Sequence, residues 1–240
     1  ERNMVWQSEL SLWSDAVAKA PDMARPRFQL AEAQASAGNT AAAVQTMEQG
    51  LQRDPSFLVG YVRLGQLCKD QGRLAEAVAA YARGLKVPAQ DRPAPQLQRA
   101  ALWAGLAETL RLMEDWEGSR QAYQQALALA PDQADLYNNT GNVLQELQRP
   151  AEALILHQRA LQLDQVDPRT WVNLGSAHFA LRDLGAARQA FARAVELDPR
   201  FGLAWSNLAV VEEQLGEHQA AAEARQQAAQ LNPGFRGRQP

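Results

Sequence analysis

Apolar side chains recur along this chain at the spacing of helical faces, and valine and isoleucine never gather into the alternating runs of strands. Trp6, Leu10, Trp13 and Val17 fall at steps of four, three and four, which predicts an amphipathic helix over residues 3–20, ended by Pro21 and Asp22. Beyond it the pattern repeats. Residues 134–167 laid over 168–201, an offset of 34, place Tyr137 over Trp171, Asn139 over Asn173, Gly141 over Gly175, Ala153 over Ala187 and Ala160 over Ala194. A period in this range means stacked helical hairpins. The same template fits six repeats, at 24–57, 58–91, 100–133, 134–167, 168–201 and 202–235.

Three columns are small throughout. The eighth position reads Ala31, Gly65, Ala107, Gly141, Gly175, Ala209; the twentieth Ala43, Ala77, Ser119, Ala153, Ala187, Ala221; the twenty-seventh Gly50, Gly84, Ala126, Ala160, Ala194, Ala228. Two antiparallel helices reach the close end of the ~8–10 Å range only where side chains are short. Large residues fill the remaining space: Tyr61, Trp103, Tyr137, Trp171 and Trp205 at the fourth position, with Tyr81, Tyr123 and Phe191 at the twenty-fourth. In this register Trp13 and Ala16 belong to a second helix without a first, so residues 3–20 are expected to cap the array.

These columns resemble the tetratricopeptide repeat family, whose pattern is W-x-x-L-G-x-x-Y, then A, F, A and a closing P. Pro55, Pro131, Pro199 and Pro233 hold the closing position, and Pro21 does so for the capping helix. Proline cannot continue the second helix and fixes the turn into the next repeat. Ala89 and Gln165 replace that proline, Arg27 replaces the first large residue, and His157 and Arg225 replace the ring at position twenty-four. The resemblance implies an all-α, right-handed superhelical solenoid of six helix-turn-helix repeats with an N-terminal capping helix.

The register breaks once. Residues 92–99 are extra, and Pro88, Pro93 and Pro95 forbid a continuous helix there. The insertion reads as a stiff surface loop, with a hinge or docking loop as the sharper alternative. Repeats one and two thus span 24–91, and repeats three to six span 100–235. Arg225, Gln226 and Gln227 give the last second helix the polar outer face that a terminal repeat needs. Residues 236–240 are expected to be disordered.

Charge and chemistry narrow the function by exclusion. A net charge of −3, with basic residues spread along the chain, gives no long-range attraction for nucleic acid or an anionic membrane. No apolar run approaches the ~18 residues of a membrane span, and no signal peptide is visible. A chain that opens on Glu1 reads as an excised domain, so its location stays open. The single cysteine, Cys68, falls on a core-facing position. His157, His178 and His218 lie on separate repeats, without acidic or cysteine neighbours at metal-ligand spacing. No nucleophile elbow, phosphate loop or dinucleotide fingerprint occurs. The expectation is a non-catalytic chain with no cofactor and no metal.

What remains is a surface. In stacked hairpins the first helices line the concave side, with positions 2, 5, 6, 9 and 13 facing it. Position six reads Gln29, Arg63, Gly105, then Asn139, Asn173 and Asn207. Each of these three amides carries an acceptor and two donors, suited to pairing with the backbone of an extended peptide. The alternative is that they hydrogen-bond within the stack. Asp135, Asn138, Asn142, Arg169, Val172, Ser176, Leu203 and Ser206 surround them, polar and balanced in charge. Arg25 and Arg63 are too separated to clamp a carboxylate. The resemblance, through the asparagine ladder of the O-GlcNAc transferase, implies a groove that holds peptide main chain. The opening segment, with W, then E-L-x-L-W-x-D-A-V, is similar to the junction where bacterial O-mannosyltransferase-like membrane proteins enter a tetratricopeptide tail. Three readings follow: a protein-binding scaffold, the acceptor-binding tail of a membrane glycosyltransferase, or a self-assembling array. The second implies the periplasm, and the others are compatible with the cytoplasm.

Overall fold

The computed structural model describes residues 8–88 and 96–231, and among them it shows thirteen helices and no strand. The chain divides into two compact bodies, 1–131 and 132–240. The N-terminal body holds α1 (Glu9–Lys19), α2 (Ala24–Ser36), α3 (Thr40–Arg53), α4 (Leu58–Asp70), α5 (Leu74–Lys86), α6 (Gln96–Leu112) and α7 (Trp116–Leu129). The C-terminal body holds α8 (Ala134–Glu146), α9 (Pro150–Leu163), α10 (Pro168–Ala180), α11 (Leu184–Leu197), α12 (Gly202–Leu215) and α13 (His218–Leu231). Each repeat is an antiparallel hairpin, α2–α3 through α12–α13, and within each body successive hairpins stack.

The small columns are where the hairpins close. Ala31, Ala43, Ala77, Ala107, Ser119, Ala126, Ala153, Ala187, Ala194 and Ala221 have no exposed surface at all. The glycines of the eighth column lie under the rings of the twenty-fourth. A β-carbon added at Gly65 would sit 2.4 Å from the Tyr81 ring, at Gly141 2.5 Å from His157, and at Gly175 2.6 Å from Phe191. Such approaches are far inside van der Waals contact, so each ring and its glycine are one packing unit. Burial pushes the Tyr81 phenol and the Cys68 thiol up, consistent with dry surroundings.

The turns inside the hairpins share a backbone feature. Position fifteen, held by Gly38, Gly72, Glu114, Gln148, Arg182 and Gly216, has positive φ in all six, from 58° to 83°. Glycine takes this conformation without steric cost, whereas the other three residues do so under strain. Second helices start from carboxylate caps in α7 and α11: Asp115 accepts from the Gly118 N–H at 2.9 Å, and Asp183 from the Ala186 N–H at 3.1 Å.

Between hairpins of the C-terminal body the fourth-position tryptophans reach back. The Trp171 indole N–H donates to the Gln165 carbonyl at 3.0 Å, and that of Trp205 to the Pro199 carbonyl at 2.9 Å. Gln165 and Pro199 share the closing position. The turn therefore survives without proline, because a backbone carbonyl supplies the tie.

Several expectations differ from the structure. The 92–99 insertion is shorter as a loop, since α6 already begins at Gln96. After Pro95 the run Gln-Leu-Gln-Arg holds only helix formers, and Arg99 donates to the Leu85 and Val87 carbonyls at the end of α5. Trp6, Ala89, Pro93, Pro95, Pro233 and the 236–240 tail lie outside the described residues. The capping helix is seen from Glu9, where Ser8 and Ser11 form a reciprocal capping box. Arg27 is buried and donates to the Met23 carbonyl at 3.0 Å, while Arg225 stays exposed and pairs with Glu213 at 2.6 Å.

Candidate functional site

The first helices of the C-terminal body, α8, α10 and α12, carry the predicted asparagines, one per hairpin at the same position. Asn139 and Asn207 are half-buried, and their side-chain amides make no hydrogen bond to the other described residues. Asn142, one turn along α8, is likewise half-buried and unpaired. Amides in this state keep donors and acceptors for an external partner.

Asn173 differs. Its Nδ2–H donates to Asn138 Oδ1 at 3.0 Å, while its side-chain oxygen, Oδ1, makes no hydrogen bond to the other described residues. Asn138, expected on the binding face, is instead internal and only 6% exposed. It faces His157 Nδ1 at 3.0 Å. Position five packs inward elsewhere too, with Phe28 buried in the first repeat and Val172 in the fifth, so Val172 also leaves the predicted face. An amide can take that place in α8 because His157 offers it a polar ring edge.

His157 is fully buried. Its Nε2 lies 3.3 Å from the Gln145 amide nitrogen, which also donates to the Asn173 carbonyl at 2.9 Å. Both contacts fit the neutral ring with its proton on Nδ1, donating to Asn138 and accepting from Gln145. Burial lowers the His157 pKa to about 4, so the ring stays neutral at physiological pH. The result is a closed polar network, His157–Asn138–Asn173–Gln145, joining α8, α9 and α10. Gln145 was not singled out in the sequence, because its role depends on a histidine where the pattern has a ring.

Arg169 and Asp135 stand at position two and are 67% and 81% exposed. They approach to 3.9 Å, too loose and too wet to contribute measurably. Arg169 is held mainly by Asp167 at 3.0 Å. Partial burial acts to raise the Asp167 carboxyl, but hydrogen bonds from the Arg169 and Thr170 side chains and the Arg169 N–H outweigh it and hold it below the usual range. Ser176 and Ser206 are half-buried and donate to the Val172 and Gly202 carbonyls, both at 3.0 Å. Leu203 is half exposed.

Beside Asn207 lies a recess lined by Ser176 and Phe179 of α10, Phe191 of α11, and Asn207 and Val210 of α12. Phe179 and Val210 were not anticipated. Val210 was legible, as the one apolar member of a ninth column otherwise reading Glu32, Gln66, Glu108, Asn142 and Ser176. In the N-terminal body Arg63 pairs with Glu32 at 2.9 Å. Among the described residues no group of three or more His, Cys, Asp or Glu could hold a metal ion, and no helix is long and apolar enough to cross a membrane. His178 lies 3.5 Å from Asp183 and His218 2.9 Å from Glu213, each within its own hairpin.

Three family models, each described as tetratricopeptide repeat, match residues 24–57 and 59–91, 97–165, and 172–234. Among curated proteins, a human protein named Protein O-mannosyl-transferase TMTC3 is 27% identical over 189 residues, 76% of this chain and 21% of that protein. The Drosophila melanogaster Protein O-mannosyl-transferase Tmtc1 is 36% identical over 110 residues, 45% of this chain and 12% of that protein. The chain thus spans about a fifth or less of the length of these relatives. Among solved structures, the Pseudomonas aeruginosa protein PilF superposes with a TM-score of 0.70 at 18% identity, covering 95% of both chains. YrrB, described as a TPR protein with an unusual peptide-binding site, gives 0.62 at 23% identity, covering 78% of this chain and 93% of its own.

Proposed function

The chain belongs to the tetratricopeptide repeat family, and on that premise we propose that it is a non-catalytic scaffold whose C-terminal body holds an extended polypeptide along α8, α10 and α12. The observation that carries this is the state of the three asparagines. Asn139 and Asn207 present amides without a partner among the described residues, and Asn173, whose Nδ2–H goes to Asn138, keeps its side-chain Oδ1 as an acceptor. Half-buried amides without a protein partner can exchange their hydration for direct hydrogen bonds, and the main chain of a peptide supplies donors and acceptors in alternation. Recognition of this kind reads backbone rather than sequence.

The test is Asn139→Ala, Asn173→Ala and Asn207→Ala together, titrated with fluorescently labelled, neutral, unstructured peptides. Asn138 keeps its contact with His157, so the fold should persist by circular dichroism. Loss of three hydrogen bonds should weaken capture by roughly tenfold or more. Unchanged affinity would sink the reading.

A second reading is favoured by the curated matches, which share the name Protein O-mannosyl-transferase. In it, this array holds acceptor polypeptide for transferase chemistry located elsewhere in a longer protein. Reading the gene upstream of Glu1 tests it. Several apolar stretches of membrane-spanning length would support it, and a start codon close by would remove it.

A further inference from the structure

The recess beside Asn207 has a composition that the amide face lacks. Phe179, Phe191 and Val210 give it apolar walls, Ser176 and Asn207 give it two polar atoms, and no charged side chain lines it. The Ser176 hydroxyl already donates to the Val172 carbonyl at 3.0 Å, so it offers only lone pairs. The Asn207 amide keeps both functions. Val210 is 48% exposed, at a position where the preceding five repeats place polar side chains. Apolar surface is therefore shown to water next to an amide in want of a peptide group.

Taking the proposed binding of an extended polypeptide as its basis, we infer that this recess is a side-chain subsite that selects an aliphatic residue of leucine or methionine size. The peptide group beside that residue pairs with Asn207. Three physical arguments fix the occupant. The space is about 110 Å³. The recess opens to solvent at Val210, and a shallow space of this size is covered by one branched aliphatic or thioether group, whereas a planar ring would project from it. A carboxylate or ammonium group would lose its hydration against Phe179, Phe191 and Val210 without a counter-ion in the lining. In an extended peptide successive side chains point to opposite sides, so one can enter the recess while its flanking peptide groups stay level with the amides.

The experiment uses the 240-residue chain and four peptides of the form acetyl-Ser-Gly-Thr-X-Thr-Gly-Ser-amide, with X as Leu, Ala, Phe or Asp. NMR titration follows the side-chain amides of Asn139 and Asn207 and the methyls of Val210. The Leu peptide should bind roughly tenfold tighter than the Ala peptide, with Phe and Asp weaker than Leu. Val210→Glu, at a half-exposed site that tolerates charge, should bring the Leu peptide down to the Ala level, and Val210→Ser should do so in part. Equal affinities with shifts at Asn139 and Asn207 would overturn the subsite and leave the amide face standing. A preference for Phe or Asp would also overturn it. No shift from any peptide would overturn both readings. Val210 shifts that follow protein concentration alone, with a doubled mass in light scattering, would show that a second copy of the chain covers the recess.

Discussion

The hairpins α8–α9 and α10–α11 solve one packing problem with two chemistries. In α10–α11 the Phe191 ring lies on Gly175, and the residue at position five is a buried valine, Val172. In α8–α9 a His157 ring lies on Gly141 in the same way, and position five is Asn138. The steric slot is the same, so either ring closes the helices to the same degree. The difference is in what the ring's edge requires. Phenylalanine asks only for apolar neighbours, whereas two ring nitrogens in a dry site must each be paired. Asn138 and Gln145 do this, and Asn138 passes the bond on to Asn173 in the next first helix. One substitution in a packing column has thereby tied a core position to the face that would hold the peptide.

Four changes would break or sharpen that comparison. The largest effect is expected from Phe191→Ala, which empties a buried slot with no polar network to brace it. It should cost about 3–5 kcal/mol in urea unfolding, and His157→Ala distinctly less. Next is acid. The folded pKa of His157, about 4, lies below the usual 6.5, so between these values the unfolded chain takes up the proton first. The stabilisation is therefore complete above about pH 6.5 and is lost as pH falls towards 4, by about 3 kcal/mol in total. His157→Phe should abolish that slope. The remaining acid loss below it belongs to carboxylates such as Asp167, whose depressed pKa gives the same sign at lower pH.

Copying the neighbouring hairpin tests the coupling itself. Asn138→Val alone leaves the His157 Nδ1–H and an Asn173 donor without their acceptor and should cost about 1–3 kcal/mol. Asn138→Val with His157→Phe reproduces the pair found in α10–α11 and should fall within about 1 kcal/mol of the parent. Simple additivity in this cycle would show that the network stores no coupling. The smallest effect is a control that both hairpins share. Gln148→Gly and Arg182→Gly relieve the positive φ at position fifteen, and each should gain about 0.5–1 kcal/mol in thermal melts.

The repeat register was legible because it is written in residue size. Every small column found by the 34-residue offset is buried, and small residues there have no substitute. The fifth column was misjudged in α8, where Asn138 reads as a groove residue by polarity. Phe28, Val62 and Val172 in that column already marked it as a packing position. The strained turns were half visible: Gly38, Gly72 and Gly216 announce position fifteen, while Glu114, Gln148 and Arg182 conceal it. The start of α6 at Gln96 could not be read from prolines alone, since Pro95 fixes only what comes before it. Of the face, the positions of Asn139, Asn173 and Asn207 followed from the period. Which of them would be spoken for internally depended on a histidine one helix away.

The back-bonds of Trp171 and Trp205 give the C-terminal body its own gauge. Each indole proton sits on a carbonyl six residues back, in an exposed contact across the turn that enters its hairpin, so breaking that turn contact frees it to exchange with solvent. Of the chain's six indole resonances, those of Trp171 and Trp205, once assigned, would then report the α9–α10 and α11–α12 turns independently. The order in which they fade in deuterated solvent would show which of the two turns, the one closed by Pro199 or the one that lacks proline at Gln165, opens more readily.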